Sequence, residues 1–263
     1  MAMDITRFQF VSFDRASAYN NANELEWRLK DITGFEMSGE EETLDINGRL
    51  GKLLMSIKRN KSLNINITNG MLNGGLLASQ MGSDVETGEF EVTMTGSAVV
   101  NTNTATIEET ITGTPGYEIG TIYVETGANL GKVLKQVGEE GELATGQFTF
   151  DPDSKTLTFF AGDVPDGSTV TYNYTKTVSG QRIRDNSEDY AGIVKLVVDA
   201  TIKDLCDGMY HAQIIARRYE VSGTFTWSFN DSAMAHDLSG RCMADACTGG
   251  EEYVDIIVFT DEA

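Results

Sequence analysis

The constraint that most limits the fold lies in residues 147–178. Phe148, Thr149 and Phe150 alternate apolar and polar, a cluster of turn formers from Asp151 through Pro152, Asp153 and Ser154 to Lys155 breaks the pattern, and Thr156, Leu157, Thr158 and Phe159 resume it. A second turn cluster contains Asp163, Pro165, Asp166 and Gly167, after which Val170, Tyr172 and Tyr174 alternate with Thr171, Asn173 and Thr175. A side-chain period of two places every second residue on one face, so three runs of this kind joined by Pro and Gly turns predict an antiparallel meander with one buried face. Pro115 and Gly116 open the unit, and Ser179 and Gly180 close it. Residues 115–178 are therefore expected to form a small inserted β module, Ig-like or a meander, while residues 1–114 together with 179–263 form the discontinuous main domain.

The flanking chain is β-rich as well. Leu63, Ile65 and Ile67 fall on one face of a run that ends at Asn69 and Gly70. Residues 193–200, 211–221, 224–229 and 253–259 have the β-branched and aromatic density of strands. Residues 8–13 are a first strand or an extended arm. Residues 16–30 hold more helix formers, though Asn20, Asn21 and Asn23 keep any helix there short. From Met71 the spacing changes: Met71, Leu72, Leu76, Leu77 and Met81 approach helical intervals, with Asn69 as the expected cap and Gly82 as the stop. Gly39, Glu40, Glu41 and Glu42 are expected in a charged loop, and Lys58, Arg59, Asn60 and Lys61 in a basic turn. The expectation is a mainly β protein, a β-sandwich or barrel with one short flanking helix and the inserted module.

At 263 residues and 40% hydrophobic content the chain can bury a substantial core. Forty acidic residues against 20 basic ones give a formal net charge of -20, which opposes tight binding of DNA or RNA, because phosphate affinity comes largely from cationic neutralisation. It suits a surface that stays soluble or repels a polyanion. Lys58, Arg59 and Lys61 form the one concentrated basic cluster, and an electrostatic dock for an acidic neighbour, including another copy of the chain, is the function expected of them. Residues 1–6 are polar at once and no long apolar run follows, so a membrane role is not expected and synthesis in a cytoplasm is.

Catalytic and metal-binding patterns are poorly met. Residues 127–133 approach a phosphate loop, but only three residues separate Gly127 from Gly131, and Val133 stands where a hydroxyl should be. Asp151 begins a calcium-like loop in which Lys155 occupies a ligand position, so a turn is the better reading. Only His211 and His236 could serve a nucleophile relay. Cys206, Cys242 and Cys247 with His236 fit no usual zinc frame; ordinary thiols are expected, with a Cys242–Cys247 disulfide or a zinc site as the alternatives. Adjacent acidic pairs such as Glu108 and Glu109 point to opposite faces of a strand and suit a solvated surface better than a two-carboxylate mechanism. No enzyme activity and no cofactor are expected.

The order of features resembles the major tail or tail tube proteins of long-tailed bacteriophages. Residues 44–81, where strand, basic turn, alternating strand and short Leu/Met helix succeed one another, carry the resemblance together with the inserted module. It implies a structural virion protein, made in the host cytoplasm, whose copies form rings, usually hexameric, that stack into a tube with an acidic lumen. DNA passes through without specific binding, and the partners are the chain itself and other virion proteins. A capsid decoration or other virion surface protein, and an adhesin or carbohydrate-binding β module, are the other classes this organisation allows.

Overall fold

The strand that organises the main body is written in its own alternation: Val194, Leu196, Val198, Ala200 and Ile202 are all buried, and the polar residues between them face outward. A computed structural model describes residues 7–111, 113–138, 142–204, 208–225, 235–245 and 250–260. The described chain is mainly β, with two sheets and one short α-helix. It divides into two compact units, Met1–Glu86 with Arg182–Ala263, and Thr87–Gln181. The first begins with β1 (Phe8–Tyr19), β2 (Leu25–Leu29), β3 (Ile32–Asn47), β4 (Leu53–Asn69) and α1 (Gly74–Met81). β5 (Val85–Val99) leads into the second unit, followed by β6 (Thr104–Thr106), β7 (Thr121–Val124), β8 (Val133–Gln136), β9 (Gln147–Asp151), β10 (Thr156–Phe159) and β11 (Thr169–Ile183). The first unit resumes with β12 (Ile193–Asp204), β13 (Met209–Val221), β14 (His236–Cys242) and β15 (Asp255–Phe259).

In the first unit the strand order is β2-β1-β12-β13-β14-β4-β3, with β15 also on β13. β2 and β3 stand at opposite ends of this order, yet only Lys30 and Asp31 separate them, so the sheet must curl until its ends meet. Side chains rather than backbone close the meeting edge: Phe13 of β1 stacks on Phe35 of β3 with ring centroids 4.2 Å apart and an interplanar angle of 18°. The result is an incompletely closed barrel. Its core gathers Ala16, Ala18, Trp27, Leu29 and Leu196 with Tyr219, whose hydroxyl donates to the Ile65 carbonyl at 2.7 Å. Gly240 lies against that ring, where a Cβ would come within 2.6 Å of Tyr219 Cζ.

The helix-former reading of residues 16–30 gives way to β1 and β2. Ala16 and Ala18 alternate inward with Trp27 and Leu29 across the β1–β2 pair, and burial on a sheet overrides their local propensity. The helix expected near residues 71–81 is α1, but its cap is Asn73, whose Oδ1 accepts from Leu76 N–H at 2.9 Å. Asn69 is buried instead as a strand-end bracket, accepting from Asp31 N–H and donating to the Met71 carbonyl at 2.6 Å. Gly82 ends the helix in the left-handed region at φ 69°, where its amide donates to Ser79 and that of Ser83 to Ala78.

The second unit is a seven-stranded sheet ordered β5-β11-β7-β8-β9-β10-β6 over its own core, which includes Ile122, Leu134, Phe148, Leu157 and Tyr172. β9 and β10 are the hairpin read from sequence, with Phe148 opposite Phe159 and Phe150 opposite Leu157. β11 does not follow β10 in a meander; it pairs with β7 and neighbours β5, while β8 and β9 run parallel. The unit begins at Thr87 rather than near Pro115 because β5 and β6 are strands of this same sheet. Within it Asp163, nearly enclosed, pairs with Lys132 Nζ at 2.5 Å and also accepts from Gly146 N–H.

Candidate assembly surface

The inner half of β4, from Leu63 to Asn69, is paired on both sides, with β3 and with β14, and Ile65 and Ile67 are buried there. Beyond Lys61 the situation changes. Residues Leu53 to Arg59 pair with β3 alone, and from Glu40 outward every side chain on both strands is exposed. β3 and β4 thus continue past the body as a two-stranded arm, a structure that is at best marginally stable without a third strand or a packed face. Its tip is a short 3-10 turn, Arg49–Gly51, with Leu50 at φ 69° and 90% exposed.

The register divides the arm into two faces. Leu44 opposes Ile57 and Ile46 opposes Met55, so these four apolar side chains share one face. Thr43 opposes Lys58 and Asp45 opposes Ser56 on the other. All four apolar residues are at least two-fifths exposed, and burying side chains of this size is worth about 1.5–3 kcal/mol each. A contiguous apolar stripe of this kind marks an interaction surface.

Lys58, Arg59 and Lys61 lie at the root of this arm, within β4 rather than in a turn, and Glu40, Glu41 and Glu42 lie within β3 rather than in a loop. The strand continues through both charged clusters because each offsets the other. Lys58 pairs with Glu41, Arg59 Nε lies 3.4 Å from Glu42 Oε2, and Asn60 Nδ2 donates to the same Glu42 oxygen at 2.8 Å. A bulge between Glu40 and Glu42, with Asn60 at φ 52°, turns the arm at this point. The Lys61 carbonyl accepts from the Tyr253 hydroxyl at 3.2 Å. Residues 40–61 carry five cations against four carboxylates, and the remaining chain carries 15 cations against 36 carboxylates. The arm is net positive on a strongly negative protein.

The other sequence candidates are dispersed. His236 opens β14 and is buried; its Nδ1 accepts from Asn73 N–H at 3.2 Å and its Nε2 lies 2.9 Å from Gln80 Oε1. Cys242 is a buried free thiol whose pKa burial pushes up to about 11, so it stays protonated at neutral pH. Cys206, Cys247 and residues 226–229 of the expected strand at 224–229 lie outside the described residues. Among the described residues no cluster of three or more His, Cys, Asp or Glu side chains is placed to hold a metal. Asp151 forms its own turn, accepting from Asp153 N–H at 2.9 Å and Ser154 Oγ at 2.6 Å. Residues 127–133 include the turn joining β7 to β8.

What sequence reasoning missed is the apolar stripe. Leu44, Ile46, Met55 and Ile57 were legible as strand residues, but strand alternation normally places such residues against a core, and here no core among the described residues covers that face. A family model described as the YomU/Tube protein family matches residues 19–256. Comparison with curated proteins gives no match.

Proposed function

Since this chain belongs to the YomU/Tube protein family, we propose that it is a structural virion protein whose copies close into rings, hexameric as in tail tube proteins, and stack into a phage tail tube. The observation that carries this reading is the β3–β4 arm, a two-stranded extension whose apolar stripe has no covering element among the described residues. Association buries that stripe, and head-to-tail contacts of this type generate rings when the rotation closes. The partners are further copies of the chain and other virion proteins, and the role is structural rather than catalytic. The acidic surplus supports a lumen along which DNA slides without being gripped. Lys58, Arg59 and Lys61 meet an acidic surface of the next subunit.

Negative-stain electron microscopy and sedimentation across a salt series test this. Long-range repulsion between copies of net charge -20 opposes assembly. Raising ionic strength from about 0.01 M to about 0.15 M cuts the Debye length from about 30 Å to about 8 Å, so assembly increases with salt. Rings or tubes with a central hole are expected. A protein that stays monomeric at high concentration and at every salt level removes the reading.

A further inference from the structure

The seam between β1 and β3 is the counterpart of the arm. β1 pairs with β2 only from Ala16 to Tyr19, which leaves the edge of its first half, Phe8 to Arg15, without a backbone partner on that side among the described residues. β3 is the last strand of the order, and its outer edge pairs with no other strand among the described residues. The two edges are held together at Phe13 and Phe35, and away from that stack Phe8 and Met37 are exposed. Phe10 stacks on Phe13 at 5.1 Å and Phe8 meets Phe10 edge-on at 5.4 Å, so a ladder of phenylalanines runs from the core to the exposed Phe8. On the opposite side Met37 follows Phe35 on the inward face, two residues along β3, and pairs with the buried Ile65. Phe8 and Met37 should therefore be core residues. They are instead 37% and 39% exposed, and no described residue covers them.

From these observations we infer that the seam receives the arm of a second copy of this chain, which deepens the assembly reading above and rests on it. The apolar stripe of Leu44, Ile46, Met55 and Ile57 lies on the floor made by Phe8, Phe10 and Met37, and the arm's backbone takes up the free edge of β1. Three properties select this occupant. The seam has an apolar floor and strand edges unpaired among the described residues, and so takes an extended segment with one apolar face, which the arm is. The arm carries a net positive charge and the rest of the chain a large negative one, so an arm is attracted to another copy's body although whole copies repel. Arm and seam are different surfaces, which makes the contact heterologous and able to propagate.

Complementation between two defective variants tests the inference. The arm variant carries Leu44→Asp and Ile57→Asp and keeps its seam; the seam variant carries Phe8→Asp and Met37→Asp and keeps its arm. All four positions are exposed in the free chain, so both variants are expected to fold, which circular dichroism verifies. At a salt concentration where the wild type assembles, each variant alone should sediment as a monomer, and an equimolar mixture should shift to a 1:1 dimer that grows no further. Mixing a Met37→Cys copy with an Ile46→Cys copy under mild oxidation should give a cross-linked dimer absent from either copy alone. If the wild type assembles but the mixture stays monomeric, or if either variant assembles like the wild type, the arm does not enter the seam and only this inference falls. If the wild type never assembles, the tube reading falls with it.

Discussion

The imidazole of His236 is held between the two ends of α1, its Nε2 2.9 Å from Gln80 Oε1 and its Nδ1 accepting the Asn73 backbone N–H at 3.2 Å. Gln80 Nε2 donates in turn to the Asp237 carbonyl at 2.9 Å, and Asn73 Nδ2 to the Arg28 carbonyl at 3.0 Å. The ring thereby ties the helix to β14, while Asn73 ties it to β2. Because Nδ1 faces a donor, only the neutral ring with its proton on Nε2 satisfies both partners.

This has a pH consequence. Burial lowers the His236 pKa, the neighbouring Asp237 carboxylate opposes the shift, and Gln80 and Asn73 bring no charge. Below about 6.5 the unfolded chain binds a proton that the folded ring resists, so stability rises with pH there. The contribution of the neutral ring is complete above that value and is lost as pH falls toward the lowered folded pKa. Between pH 7 and pH 5 the unfolding free energy of the wild type should fall more steeply than that of His236→Gln, by at most about 1.4 kcal/mol per pH unit. Urea titrations at several pH values measure both slopes, and parallel slopes would remove His236 as the cause.

The aromatic closure of the barrel should be measurable as a coupling. Phe13→Leu and Phe35→Leu each remove one ring from the 4.2 Å stack, and a double-mutant cycle should return about 0.5–1.5 kcal/mol beyond additivity. A cycle that closes to zero would mean that the stack does not hold the two edges together.

In the second unit, Asp163→Ala leaves the Lys132 ammonium without its carboxylate and the Gly146 N–H without its acceptor. Asp163 is almost fully buried while Lys132 is about one-third exposed, so the loss should sit near the low end for a broken buried pair, about 3 kcal/mol. Lys132→Met together with Asp163→Ala should recover part of it. Equal loss in the single and double variants would contradict the pairing argument.

The unit boundaries make a competing pair of deletions informative. Excising residues 87–181 and joining Glu86 to Arg182 through a short Gly-Ser linker should leave a cooperatively unfolding remainder, because these two residues are already bridged by Arg182 Nη2 and Glu86 Oε2 at 2.5 Å. Excising residues 115–178 instead strands β5 and β6 without β11 and β10, and should give an insoluble product. Soluble, cooperative remainders from both would show that the sheet order is not what sets the module's limits.

The basic cluster can be assigned to docking or to bracing. Reversing Lys58, Arg59 and Lys61 to Glu removes the proposed dock and also breaks the pairs with Glu41 and Glu42. Adding Glu41→Lys and Glu42→Lys restores those pairs with the charges exchanged. If docking on a neighbour is what matters, assembly by light scattering stays weak in the exchanged variant; recovery to the wild-type level would make the cluster a brace of its own arm. Exposed pairs of this kind are worth about 0–1 kcal/mol, so neither variant should change monomer stability much.

The sequence by itself determined what depends on neighbours along the chain. The alternation of Phe148, Phe150, Leu157 and Phe159 and the side-chain turn of Asp151 specified a hairpin, and Gly82 marked the end of α1, because each is a local demand of backbone geometry and burial on one face. The charge surplus was likewise additive and readable. Tertiary structure decided which strands met: β11 turned to β7 instead of β10, and Ala16 and Ala18 became strand residues because a curling sheet needed small side chains inside, a requirement that no local propensity encodes. It also moved the helix cap from Asn69 to Asn73, since the last pairs of β3 with β4 hold Asn69 in the sheet. The apolar stripe of the arm and the exposure of Phe8 and Met37 follow the same rule. Leu44 and Ile57 have the pattern of core residues, and only the three-dimensional path of β3 and β4 beyond the barrel leaves them exposed, because exposure is a property of what lies opposite a side chain in space and not of what lies beside it in sequence.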